Sequence, residues 1–206
     1  MSFTLVLVGS GDAGRTVLAK AILDRELRRL HPGAAGPVLI RTAGVDALPG
    51  MPPAHHVATV AARRGLAVQD HTATAMTRAL AESADLLLTM TRRQRAQLVL
   101  QHPALRARTF SLVEFAALLH DVAAAPSGVR TGGGLDVLLP ALVPAMAARA
   151  RVAAPPTDEG GWDLPDPYAQ GLDRYEAVAD EVEALVHAVV TDVWTLLAGR
   201  SAMRSA

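Results

Sequence analysis

The chain has no cysteine in 206 residues. That absence excludes disulfides, thiolate metal sites and thiol nucleophiles together. Aromatic residues make up 3% of the chain, Lys20 is its single lysine, and the formal net charge is zero. Without a net field, neither nucleic acid nor an anionic membrane is attracted regardless of sequence, so local charge has to carry any binding. Long apolar runs are missing as well. Val137 to Met146 is interrupted by Pro140 and Pro144 and is too short to span a bilayer. The opening MSFTLVLVGSG carries no basic leader and runs straight into a glycine-rich turn, which reads as a core strand rather than a signal peptide. These features predict a soluble, cytoplasmic protein without nucleic-acid or membrane partners.

What is present is apolar residue, half of the chain, enough for a sizeable core in one domain. Phe3 to Val8 is continuously apolar, the pattern of a strand covered on both faces in a parallel sheet. From Arg15 the period becomes helical, with Leu23, Leu27 and Leu30 on one face, until His31-Pro32-Gly33 stops it. Pro37 to Thr42 reads as a second strand, Pro53 to Arg64 and Thr74 to Glu82 as helices, and Asp85 to Met90 as a third strand. Arg92 to Leu100 is helical, Thr109 to Ser111 a short strand, and Leu112 to Ala123 helical again. This alternation predicts an open α/β sheet with ligands at the carboxyl ends of its strands. Residues 124 to 158 read as an insertion: a glycine-rich loop, a helix over Leu135 to Arg151 kinked by prolines, and a second loop. Leu172 to Leu197 spaces apolar residues for one long amphipathic helix covering the sheet. The expected domain spans residues 1–199, with 200–206 a frayed tail.

Residues 9 to 16, GSGDAGRT, join the first strand to the first helix, where backbone N–H groups and the helix dipole favour an anion. Three motifs fit by spacing. Gly9, Gly11 and Gly14 match a dinucleotide fingerprint, but the second strand ends Ile40-Arg41-Thr42 without the acidic residue a ribose needs. Gly9, Gly14, Arg15 and Thr16 approximate a triphosphate loop with arginine for its lysine, yet the third strand ends Thr89-Met90-Thr91 without an aspartate for magnesium. The step from position 9 to Arg15 matches a Cys-x5-Arg phosphatase loop whose cysteine is Gly9.

Further segments follow in a specific order: Thr42-Ala43-Gly44, Gly50-Met51-Pro52, His71 after a helix ending in Gly65, Ala84-Asp85 opening a strand that leaves through Met90, and Asp163-Leu164-Pro165-Asp166-Pro167-Tyr168 before the last helix. In these the chain resembles the low molecular weight protein tyrosine phosphatases, whose sheet also serves arsenate reductases. The resemblance implies a three-layer α/β fold, a four-stranded parallel sheet flanked by helices, with a helical insertion before the last helix. It implies that Ser10, Gly11, Asp12, Ala13, Gly14, Arg15 and Thr16 surround a phosphate, with Arg15 a planar bidentate donor. It also implies that Asp166 protonates the leaving group and later activates water, that Asp163 and Tyr168 orient that loop and line the entrance, and that His71 bonds toward the phosphate loop. No cofactor and no metal are expected.

The departures concentrate at the chemistry. Gly9 stands where the family has its nucleophile, Gly14 where many members have a second cysteine, and Asp12 where asparagine is usual. Pairing of Asp12 with His71 would mask a charge that otherwise repels phosphate. Ser10 neighbours the lost thiol but has no base to activate it. The expectation is a pseudophosphatase that binds phosphate, a phosphorylated protein such as a phosphotyrosine protein, or another protein partner. The alternative is an active phosphatase using water, with Asp166 as base and the space at Gly9 holding the water. A third class is purely structural. Among ordinary features, His55-His56 reads as exposed helix rather than a metal site because adjacent residues do not face one another. Thr91-Arg92-Arg93-Gln94-Arg95 reads as a solvated first turn.

Overall fold

The computed structural model describes residues 2–30, 38–125, 129, 134–152 and 161–198. The helix stop at 31–33, most of the glycine-rich loop at 125–134, nearly all of the loop at 153–161 and the tail at 200–206 lie outside the described residues.

Four strands, β1 (Phe3–Gly9), β2 (Val38–Gly44), β3 (Leu86–Thr89) and β4 (Thr109–Ser111), form one sheet in the order β2-β1-β3-β4. All pairings are parallel, with Gly9 opposite Gly44 and Val8 opposite Thr89. The central position of β1 explains its uninterrupted apolar run, because alternate side chains enter two different cores. Leu5 and Leu7 join Leu88 and Phe110 in the larger core, whereas Val6 and Val8 join Ala43 and Leu87 in the smaller one. The three-layer arrangement predicted from the resemblance is therefore present.

The larger core is covered by α1 (Arg15–Leu30), α2 (His55–Arg63), α5 (Leu112–Ala124), α6 (Leu135–Ala150) and α7 (Leu172–Ala198). The smaller is covered by α3 (Arg78–Ser83), α4 (Arg92–Gln101) and a 3-10 turn at Pro103–Arg108, which the sequence pattern leaves unmarked. Boundaries shift mainly where side chains cap helices. α3 starts at Arg78 rather than Thr74 because Thr77 is its N-cap and accepts from Leu80 N. The apolar face of α7 buries Tyr175, Val178, Val182, Val186 and Val190. Its polar face meets Arg64, which pairs with Glu176, Asp180 and Glu183, while Glu183 also takes Arg25 from α1. Such a network fixes how α7 lies across α1 and α2, although exposed ion pairs singly add little stability.

Leu7 is fully buried in the central strand, and Leu100 is 81% exposed on α4. Leu7→Ala should cost about 2–5 kcal/mol of unfolding free energy, and Leu100→Ala less than about 0.5 kcal/mol. Urea titrations of the two variants check this contrast.

Candidate functional site

The glycine-rich segment leaves β1 at Gly9 and enters α1 at Arg15, at the carboxyl ends of the parallel strands. The connection after β2 clamps it from the side. Val45 N donates to Gly9 O at 3.0 Å, Asp46 N to Ser10 O at 3.0 Å, and Ala54 N to Ala13 O at 2.9 Å. Gly44 permits this approach, since a Cβ there would lie 2.3 Å from Ser10 O and 2.9 Å from Asp12 N. Among the described residues the backbone N–H groups from Gly11 to Thr16 have no protein acceptor. They surround a cleft of about 360 Å³ lined by all eight residues of the loop together with Asp46, Ala54, Asp166, Pro167, Tyr168 and Tyr175.

Asp12 occupies the left-handed region at φ 51° and is 2% exposed. Aspartate tolerates that conformation better than most residues. Its Oδ1 accepts from Thr16 Oγ1 at 2.9 Å, and its Oδ2 accepts from Thr42 Oγ1 at 3.1 Å and Thr74 N at 2.9 Å. The expected carboxylate–histidine pairing takes a different form. His71 Nε2 donates to the Asp12 carbonyl oxygen at 2.6 Å and stands 3.8 Å from Oδ2. The carboxylate is thus satisfied chiefly by hydroxyls and one amide, so its charge is met by donors of its own. Burial pushes its pKa above the usual carboxylate range, against the opposing pull of the Thr74, Thr16 and Thr42 hydrogen bonds and the nearby His71.

Arg15 is turned toward the segment before α7. Its Nη1 donates to Leu164 O at 2.6 Å and its Nη2 to Asp166 Oδ2 at 2.5 Å. Burial lowers the guanidinium pKa, while Asp166 and Asp163 oppose the shift. Asp166 Oδ1 in turn accepts from Tyr168 N at 3.1 Å. Asp163 accepts from Arg92 N at 2.7 Å at the start of α4, and Leu164 N donates to Met90 O at 2.9 Å. The segment is therefore tied both to α4 and to Arg15. Tyr168 lines the cleft and is 80% exposed.

At Gly9 the void left by a missing side chain is already crowded. A Cβ there would sit 2.9 Å from Thr16 Cγ2 and 3.8 Å from Thr16 Oγ1. The Thr16 hydroxyl faces Asp12, which leaves its methyl group toward position 9. Ser10 is likewise committed, its Oγ accepting from Gln94 Nε2 at 3.0 Å.

Several of these residues escape a reading of the sequence. Gln94 belongs to the stretch read as solvated, yet it is 5% exposed and its Oε1 accepts from both Met90 N and Thr91 N. The Thr91-x-x-Gln94 capping box was its visible signal. Thr42 stands in the Thr42-Ala43-Gly44 segment and Tyr175 on the apolar face of α7, but nothing local marks these two, Thr74 or Asp46 as neighbours of the loop, which they reach from β2, α7 and two different connections. The adjacent histidines do approach one another, with ring centroids 5.6 Å apart, and His56 packs on Tyr175 at 5.1 Å. They approach because His56 leans onto α7. Among the described residues no group of three or more His, Cys, Asp and Glu could hold a metal ion, and no helix is long and apolar enough to cross a membrane.

A parallel α/β sheet that presents a glycine-rich loop with a buried arginine, faced by an aspartate from a second loop, defines the class of phosphatase-like folds. The comparisons narrow it. The family model described as low molecular weight phosphotyrosine protein phosphatase matches residues 4–123, and the chain belongs to that family. It is 32% identical over 111 residues to EpsP of Ralstonia nicotianae, described as a "Probable low molecular weight protein-tyrosine-phosphatase", an alignment covering 54% of this chain and 71% of that protein. Its fold is similar to that of the YwlE arginine phosphatase from Geobacillus stearothermophilus, with a TM-score of 0.67 at 20% identity over 96% of this chain and 97% of the other. It is also similar to the tyrosine phosphatase Wzb from Escherichia coli K30 in complex with sulphate, with a TM-score of 0.63 at 19% identity over 94% and 99%.

A folded-state pKa raised by burial means that the ionised Asp12 opposes folding at neutral pH, and that this penalty fades as pH falls through the folded pKa. An asparagine could keep the Thr42 and Thr74 bonds through its oxygen and donate its N–H to Thr16 Oγ1. Asp12→Asn should therefore raise the melting temperature at pH 7, and its advantage should shrink on acidification. Melting curves of both proteins across the acidic range check the sign.

Proposed function

We propose that this chain is a pseudophosphatase that holds a phosphate group, free or carried on a protein such as a phosphotyrosine protein, without thiol-dependent hydrolysis. The observation that carries this reading is the pairing of Gly9 with the Thr16 methyl group 2.9 Å from where its Cβ would be. The family position for the nucleophile has no thiol, and a side chain placed there would begin against the Thr16 methyl group. The features that would bind an oxyanion are N–H groups from Gly11 to Thr16 without a protein acceptor among the described residues, the helix N-terminus behind them, and the buried Arg15.

An active enzyme that used water from the cleft would need Asp166 as its base, and that carboxylate is engaged by Arg15 Nη2 and Tyr168 N. Ser10 is no substitute nucleophile, because its hydroxyl accepts from Gln94 and has no carboxylate or imidazole as base. In the pseudophosphatase, Arg15 and the loop amides bind, while Asp12, Thr42, Thr74 and His71 keep the loop in shape.

Para-nitrophenyl phosphate should show no turnover above the uncatalysed rate, while phosphate or vanadate should raise the melting temperature. Turnover that disappears in Arg15→Ala or Asp166→Asn would sink the pseudophosphatase reading, and no thermal shift with either anion would leave a purely structural role.

Repair of the nucleophile tests the crowding separately. Gly9→Cys alone forces its Cβ against the Thr16 methyl, an overpacking that costs about 1–3 kcal/mol. Gly9→Cys combined with Thr16→Ser removes the methyl and should exceed Gly9→Cys in aryl phosphatase rate by about tenfold or more. Equal rates in the two variants would mean that the methyl group is no obstacle.

A further inference from the structure

We infer that Asp166 makes the cleft selective for an oxyanion that carries a proton, namely hydrogen phosphate or the monoanion of a phosphate monoester, over a proton-free oxyanion of similar shape. The inference rests on the reading of the cleft as a phosphate site and adds which phosphate species it takes.

Asp166 lines the same cleft as the loop, with its side chain 50% exposed. One of its oxygens is 2.5 Å from Arg15 Nη2, and the other accepts from Tyr168 N. A ligand that reaches this guanidinium therefore meets a carboxylate oxygen beside it. An ionised carboxylate is an acceptor only. A ligand oxygen without a proton would confront it acceptor to acceptor, whereas a ligand hydroxyl would donate to its remaining lone pair. Asp12 and Asp46 bring the carboxylates of the lining to three and Arg15 is the one cation there among the described residues, so the balance of charge disfavours a fully deprotonated guest. Asp12 does not share this role, since Thr16, Thr42 and Thr74 already satisfy it. Sites built to receive a hydroxyl reject analogues that lack it, because a polar group of the protein is left unpaired.

Isothermal titration of the full chain at about pH 6, where phosphate esters are roughly half protonated, tests this with inorganic phosphate, phenyl phosphate, sulfate and methyl sulfate. Methyl sulfate matches the charge of the phosphate monoanion and has no proton. Wild-type protein should bind phosphate about tenfold or more tighter than either sulfate species. Asp166→Asn should bring phosphate and methyl sulfate within about threefold, mainly by strengthening methyl sulfate. A cooperative melting transition verifies that the variant, which loses the charge partner of the buried Arg15, is folded. Phenyl phosphate binding comparable to phosphate would support a monoester as the ligand, and binding of phosphate alone would support the free ion. Equal binding of phosphate and methyl sulfate by the wild type, or a ratio unchanged in Asp166→Asn, would overturn this inference alone. Binding of none of the four by either protein would overturn the phosphate-site reading together with it.

Discussion

A buried carboxylate holds the loop in its shape. Asp12 bends the backbone into the left-handed region and ties together Thr16 at the start of α1, Thr42 at the end of β2 and Thr74 in the connection to α3. His71 completes the hub through the Asp12 carbonyl oxygen. An acceptor at this position serves three donors from three parts of the chain, so the loop does not depend on its own turn propensity. The same bonds orient the Thr16 hydroxyl away from Gly9, which brings its methyl group to the site of the missing side chain. The support of the loop and the contact between the Thr16 methyl group and position 9 are one arrangement.

That arrangement separates two properties that an intact enzyme combines. Binding an oxyanion needs oriented N–H groups and a guanidinium, and in the proposed role backbone geometry and Arg15 supply them. Transferring a phosphoryl group needs a nucleophile in line, and neither Gly9 nor the engaged Ser10 supplies one. Loss of the second does not require loss of the first, because the donors belong to the backbone. Membership of the phosphatase family therefore fixes the architecture, while the proposed role rests on two residue positions within the loop.

Much of the fold was legible because its signals are local and repetitive. The apolar run of β1, the strand at Asp85 to Met90 and the apolar face of α7 each follow from periodicity, and their order implied the sheet. The ordered motifs around Arg15, Gly44, His71 and Asp166 pointed to the family. Less legible were residues whose importance arises from contact across the chain. Gln94 looked like part of a solvated turn and is a buried bridge to Ser10, and His56 looked independent of its neighbours and packs on Tyr175. Polar side chains such as these serve equally well on a surface, so their type alone does not say where they point.

The sequence by itself determined that thiol chemistry is impossible here, since no arrangement of a chain without cysteine can create a thiolate. It also determined the alternating elements and the loop at the end of the first strand, because both depend on short-range patterns of apolar and glycine residues. Only the tertiary structure decided that Arg15 is shared with Asp166 and Leu164, that Asp12 is masked by threonines rather than by His71, and that Thr16 crowds the place of the nucleophile. These are distances between segments up to 151 residues apart. They are fixed by the packing of the helices on the sheet, which no local pattern encodes.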